Sequence, residues 1–335
     1  MKKVFALVLA IVMIFSAIPV TVSAAESVTT ISNASELAAI ANDLKGNYKL
    51  TADIDLSNYG TWTPIGGSTA FSGTFEGNNK KITGLTVNTS SQYGGLFGNV
   101  SGTVKNLYVK GSVTVNMTSS SATSVYAGLI AGNVGLFGTV DSCSAEGNVT
   151  ATLSCSSSSF IAPKGNVYAG GVIGNSSSFY EFSELSHKSG TVTATAKMTN
   201  KGNAFAYAGG VAGKSGATIV DSYNKGDVSA TATASSGETN AYSGGISGYG
   251  KNFATSYNTG DISASGTTVA NAGAIAGYAT GKSTNCYYLS GCATKAFGGY
   301  SADTAPTATG LSSANSKKKA SYAGFDFDNV WDIVQ

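Results

Sequence analysis

The chain has 335 residues, 42% hydrophobic and 11% charged, with 43 glycines and a formal charge of +2. A chain so poor in charge and so rich in apolar side chains is not intrinsically disordered, and its glycines keep no three-residue period, which excludes collagen. Arginine is absent and the lysines are scattered, so nucleic acid is not an expected partner, and the single histidine excludes any site that needs two.

The N-terminus reads as an export address. Lys2 and Lys3 precede a nearly unbroken apolar run from Val4 to Ile18, and Val22-Ser23-Ala24 has the small residues of a cleavage site. That pattern predicts a signal peptide over 1–25 and a secreted or cell-surface protein, with no transmembrane segment in the mature chain. Without Lys2 and Lys3, 18 lysines face 18 acids, so the mature chain is formally neutral.

Next comes a predicted cap over 26–60. Asn33-Ala34-Ser35-Glu36 has capping-box spacing, and Leu37, Ile40 and Leu44 follow on one side, predicting a short amphipathic helix over 34–44. From 61 to 300 the chain repeats. Tyr93-Gly94-Gly95-Leu96-Phe97-Gly98 recurs in related form up to Gly132, Gly174, Gly213, Gly248 and Gly277, with closing glycines 34, 42, 39, 35 and 29 residues apart. Each copy leads to a second element ending in Gly, such as Leu107 to Gly111 or Tyr223 to Gly226, and then to alternation like Val149-Thr150-Ala151-Thr152. Period two with β-branched residues, bounded by glycine, predicts strands. Short strands repeating at elastic spacing predict a stacked parallel solenoid. The surplus length lies in Thr118 to Ser124, Ser156 to Lys164 and Ser235 to Asn240, read as loops leaving one corner. Residues 301–335 are read as a loop and closing segment in which Phe325, Phe327, Val330 and Trp331 dock on the far end.

The Gly-Gly-Leu-Phe-Gly element resembles the GLUG motif of bacterial exported and surface proteins. So do the lead-ins Tyr48 to Leu56, Trp62 to Gly66 and Phe71 to Gly77, and the closing Gly324-Phe325-Asp326-Phe327 with Trp331. The resemblance spans roughly residues 30 to 331. It implies a right-handed parallel β-helix, found in adhesin-like proteins and as a non-catalytic region beside IgA1-cleaving metallopeptidases. It also makes Asp53 and Asp55 structural. The chain has no His-Glu-x-x-His, so peptidase chemistry does not carry over.

Candidate chemistry is sparse. Asp227 and Asp261 follow the turn glycine in successive repeats, and stacked carboxylates could form a glycosidase pair. Their column runs Ser112, Asn148, Thr191, Asp227, Asp261, Cys292, which is the habit of residues that hydrogen-bond a turn backbone. Asp141 and Asp221 read as a second, edge-bonding column. His187 in a polar stretch reads as solvated. No catalytic residue, metal or cofactor is expected.

Tyr126, Tyr168, Tyr207 and Tyr242 each stand two residues before a repeat glycine and are the binding candidates. Parity with Val211 places them beside the core; facing outward, they would offer a ladder for sugars. Tyr223 and Tyr257, aligned with Leu107, Cys143 and Cys286, read as inward. Cys143–Cys155 and Cys286–Cys292 are candidate local disulfides, with buried free thiols as the alternative. The whole predicts an all-β, right-handed parallel β-helix of about seven or eight coils with a short N-terminal capping helix. The expected function is non-enzymatic adhesin-like binding of a host or matrix protein or glycan through the outer face and corner loops. A carbohydrate-active protein, either a glycan-binding module or a polysaccharide-degrading β-helix enzyme, is the alternative.

Overall fold

The computed structural model describes residues 27–156, 163–301 and 305–332. The signal segment over 1–25 and most of the Ser156 to Lys164 stretch lie outside those residues.

The repeats wind into a parallel β-solenoid. Its strands fall into four sheets of 14, 6, 7 and 4 strands, each sheet running along the stack. Pairing is parallel and in register from coil to coil, as in Thr103–Ser119 against Thr139–Cys155, where Val113 faces Val149 and Val115 faces Ala151. The seven-stranded sheet counts the coils, and Ile65 bridges to Phe97 at its outer edge to add an eighth rung. The expected seven or eight coils are therefore present.

Alternation selects the core. In Lys164–Gly170, Val167 and Ala169 are buried and Tyr168 between them is half-buried, as period two requires. The early coils are filled by Phe71, Phe75 and Phe97, whose rings meet at 5.1 and 5.3 Å. Later coils use alanine: Ala194 stacks on Ala230 and Ala196 on Ala232.

The N-terminal helix is shorter than predicted, Ala34–Ala39 followed by a 3-10 turn Ile40–Asn42. Asn33 caps it by accepting from the Glu36 amide at 3.0 Å, and the Glu36 carboxylate accepts from the Ser32 amide at 2.7 Å. The Ser32 amide bond, then one from the Ser32 hydroxyl at 3.0 Å, holds the Glu36 carboxyl below its ordinary range. Leu37 and Ile40 are buried in the common core. Strand Val28–Ile31 precedes the helix and pairs with Asn47–Leu50, so the helix lies between two paired strands.

Every middle coil turns one corner on a left-handed residue that is not glycine. Asn106, Ser142, Glu184, Asp221, Thr255 and Asn285 have φ between 40° and 54°. Such residues are uncommon; Asn and Asp tolerate the geometry best, and Ser142, Glu184 and Thr255 adopt it at the same corner. Asp221 therefore belongs with Ser142, while Asp141 stands one place earlier opposite Lys105. The expected shared column of Asp141 and Asp221 is corrected by one residue. Each aspartate still bonds a neighbouring coil, Asp141 accepting from the Ser183 hydroxyl and Asp221 from the Thr255 hydroxyl.

The repeat glycines have a steric reason. A methyl on Gly132, Gly248 or Gly277 would press on the carbonyl oxygen of the preceding member of the file, at 2.8, 2.6 and 2.6 Å. Gly98, Gly174 and Gly213 are equally crowded by the carbonyls of Gly66, Gly132 and Gly174. The second glycine of each pair makes room for a buried polar column. Gly171 faces His187, Gly210 faces Asn224 and Gly245 faces Asn258. One coil earlier the equivalent positions are Leu129 and Ala145, so bulk moves from one wall to the other.

His187 is thus not solvated. It is fully buried, with Nδ1 2.8 Å from Asn224 Oδ1 and Nε2 2.9 Å from the Gly147 carbonyl. Asn224 in turn donates to Asn258 Oδ1 at 2.8 Å. The polar residues flanking His187 in sequence concealed that the strand turns it inward.

Candidate functional site

The tyrosine file faces outward. Tyr126, Tyr168, Tyr207 and Tyr242 alternate with buried Val125, Val167, Ala206 and Ala241, which corrects the placement beside the core. Parity with Val211 misled because the chain bends at the glycine pair between them. Tyr93 joins as a fifth ring. It was missed because its repeat is one residue shorter between Tyr93 and Gly98.

Successive centroids are 5.2, 5.3, 4.9 and 5.3 Å apart with planes within 10° of parallel. The rings therefore spend their faces on each other and present edges and hydroxyls to solvent. That geometry suits a rigid rib better than a platform for stacked sugars. Burial raises the phenol pKa of Tyr168 and Tyr207, and neighbouring rings raise it further. Beside the rib, Asn99, Asn133 and Asn175 form an amide ladder with bonds of 3.0 and 2.7 Å. Lys214, Tyr249 and Tyr278 continue that column. Tyr249 meets Tyr207 and Tyr242 edge-on, and Lys214 Nζ is 5.5 Å from the Tyr249 centroid.

Tyr223 and Tyr257 also face outward, against expectation. Tyr257 pairs with Tyr223 and Tyr287, and Tyr223 with Ser186, while Leu107 pairs with Cys143. Tyr223 and Tyr257 thus stand one residue out of register with Leu107 and Cys143, and in a strand a one-residue slip reverses the face.

The closing segment covers this file along the flank. Strand Thr309–Leu311 adds a rung on Tyr287–Leu289, and the chain then doubles back. Tyr322 packs edge-on against Tyr257 and Tyr287 at 5.3 and 5.1 Å. Phe325 lies on Tyr287 and Trp331, and Trp331 reaches Tyr223 and donates to Asp221 Oδ1 at 3.4 Å. The expected end plug is therefore a strap. Val330, expected to dock, is 38% exposed. Strap and tyrosines enclose a trough of about 600 Å³.

Further along the same outer file, Tyr108 borders a polar cleft of about 310 Å³. Its hydroxyl donates to the Glu146 carboxylate, which also pairs with Lys110 at 2.8 Å. The Lys110 bond, then the Tyr108 bond, holds the Glu146 carboxyl below its ordinary range. Burial and that carboxylate push the Tyr108 phenol up to about 12.

The turn column behaves as its composition predicted. Asn148 Oδ1 accepts from the Thr191 amide at 2.9 Å and Asp227 Oδ1 from the Asp261 amide at 3.0 Å. Asp53 and Asp55 likewise accept from the backbone of Lys81 and Ser57. These carboxylates are engaged in holding chain, and among the described residues no group of three or more His, Cys, Asp or Glu could hold a metal ion.

All four cysteines are buried free thiols. Cys143 and Cys155 lie at separate points of one extended strand, Thr139–Cys155, which keeps them apart. Burial pushes the Cys143 thiol up to about 12 and those of Cys286 and Cys292 up to about 11.

One surface was not foreseen. Leu136, Phe137, Phe179 and Tyr180 are 47, 68, 75 and 50% exposed on adjoining corner turns. Phe137 and Phe179 meet edge-on at 6.4 Å, and the Phe179 amide donates to the Leu136 carbonyl at 3.2 Å. The signal was present in Gly135-Leu136-Phe137-Gly138 and Ser177-Ser178-Phe179-Tyr180. Other coils pass this corner with Ser101-Gly102, Gly216-Ala217 or Lys251. Contiguous exposed apolar side chains on a soluble surface commonly mark a contact site.

Among the described residues no helix is long and apolar enough to cross a membrane. No family model matches the chain, and no curated protein matches it. Among solved structures it is similar to that of a putative immunoglobulin A1 protease from Bacteroides ovatus, with a TM-score of 0.52 over 88% of this chain and 90% of that one. At 21% identity the likeness establishes a shared fold.

Proposed function

We propose that this is an exported, non-enzymatic, adhesin-like protein that binds a host or matrix partner through its outer surface. The observation that carries the reading is the apolar corner of Leu136, Phe137, Phe179 and Tyr180, held on a rigid stack with its side chains in solvent. Aromatic side chains fixed on a rigid scaffold lose little entropy on contact and are favoured binding anchors. The signal-type N-terminus and the resemblance to GLUG-motif surface proteins support the same reading. So does the engagement of the aligned aspartates in backbone bonds.

The test is an array of extracellular-matrix proteins and glycans probed with the mature chain. Capture by a matrix or host protein, reduced when Phe137 and Phe179 are both changed to serine, supports the proposal. Turnover of a polysaccharide would overturn it in favour of an enzyme.

A further inference from the structure

The outer file passes from Lys81 to Tyr108 and then loses its rings. Coil by coil it continues as Ser144, Ser186 and Tyr223. At ordinary strand spacing those two rings are three rungs, about 14 Å, apart. Serines stand where rings would, their hydroxyls 2.8 Å from each other. The polar cleft described above opens at the Tyr108 end of this gap, lined by Ser142 and Ser144 with Asn79 and Asn106 on its rim.

Its charge is unbalanced. Lys188 Nζ lies 4.9 Å from the Tyr108 centroid and Lys81 Nζ 6.0 Å. The lining carboxylate, Glu146, is already engaged by Lys110 and the Tyr108 hydroxyl. The ion pairs among the described residues are Lys105–Glu76 and Lys110–Glu146, so neither Lys81 nor Lys188 has a carboxylate at ion-pair distance.

An aromatic ring, small hydroxyls, amides and two ammonium groups outside ion-pair distance of any described carboxylate together match a pyranose that carries a carboxylate. The ring holds the two lysines by cation–π contact, the lysines take the sugar's charge, and the amides and hydroxyls take its hydroxyls. We propose that the cleft around Tyr108 and Ser144 binds one residue of a uronate-containing saccharide, its carboxylate at Lys188 with Lys81 beside it. An acidic peptide supplies the charge but not the flat polyhydroxylated ring. The site is separate from the Phe137–Phe179 corner and stands or falls independently of the protein-binding reading.

Calorimetric titration of the mature protein with oligogalacturonate, oligoguluronate and hyaluronan oligosaccharides tests the proposal. Carboxyl-reduced oligogalacturonate and poly-glutamate serve as comparators. The expected result is binding of at least one uronate and none of the reduced oligomer. Lys188→Ala should weaken binding about tenfold, the value of one charge-assisted hydrogen bond. Tyr108→Phe, which keeps the ring, should bind far better than Tyr108→Ala, with folding of each checked by circular dichroism. Lys251→Ala, at a distant corner, should bind as wild type. Absence of binding to all three uronates, equal binding of poly-glutamate, or an unchanged Lys188→Ala affinity overturns the proposal. Protein capture on the matrix array would be untouched by any of these.

Discussion

Gly210→Ala adds one methyl group where the fold leaves no room. The new carbon would overlap Asn224 Cγ on one side and the Gly245 carbonyl oxygen on the other. The carbonyl belongs to the next coil's backbone and cannot swing away. Overpacking of this kind costs about 1–3 kcal/mol. Displacing Asn224 strips its 2.7 Å bond to the Gly226 carbonyl and its 2.8 Å bond to Asn258. Leaving such buried groups unsatisfied adds about 1–3 kcal/mol. A loss near 3–4 kcal/mol follows, read from guanidinium unfolding by far-ultraviolet circular dichroism. Gly67→Ala is the control, because a methyl there meets nothing within 4 Å, and it should stay within about 0.5 kcal/mol of wild type. Asn224→Ala combined with Gly210→Ala should lose less than the two single changes together, since the trimmed side chain no longer clashes. A Gly210→Ala protein as stable as Gly67→Ala would refute the account of the paired glycines.

Four other outcomes follow from the geometry. Tyr207→Ala removes two stacked neighbours and an edge contact to Tyr249, whereas Tyr93→Ala removes one stacked neighbour. At about 0.5–1.5 kcal/mol per aromatic pair, Tyr207→Ala should be the more destabilising by about 2 kcal/mol in thermal or chemical unfolding. The raised thiol pKa of Cys143 means the folded state keeps a proton that the unfolded chain releases above about 8.5. Its stabilising contribution is therefore whole below that pH and is lost as pH rises towards the folded value of about 12. Unfolding midpoints should fall through this window, less steeply in Cys143→Ala. Ellman's reagent should find no reactive thiol in the native protein and all four after denaturation without reductant; fewer would mean a disulfide. Trp331→Ala should loosen the strap at a cost of about 2 kcal/mol or less, and proteolysis should then remove the C-terminal segment first.

The architecture was legible because glycine spacing and period-two alternation report directly on coil and strand. Facing was less legible. Tyr223 and Tyr257 were aligned one residue away from their structural partners, and a strand turns that small error into a reversed face. Tyr93 escaped for the same reason, one missing residue between it and Gly98. His187 looked solvated because its sequence neighbours are polar, yet its strand position and the space left by Gly171 bury it. The strap could not be read locally at all. Phe325 and Trp331 are recognisably apolar, but only the doubled-back chain shows that they cover the flank. The apolar corner had a visible composition, and its meaning came from exposure, which sequence alone does not carry.

The central claim is that a rigid stack presents Phe137 and Phe179 to a binding partner. Surface plasmon resonance of the wild type and the Phe137→Ser/Phe179→Ser double variant, against the array's strongest matrix or host protein, tests it most directly. Both chains should show the same circular dichroism, since these side chains are in solvent. The account predicts at least about tenfold weaker binding by the variant, as expected for loss of aromatic anchors. Equal affinity in the two chains would contradict it.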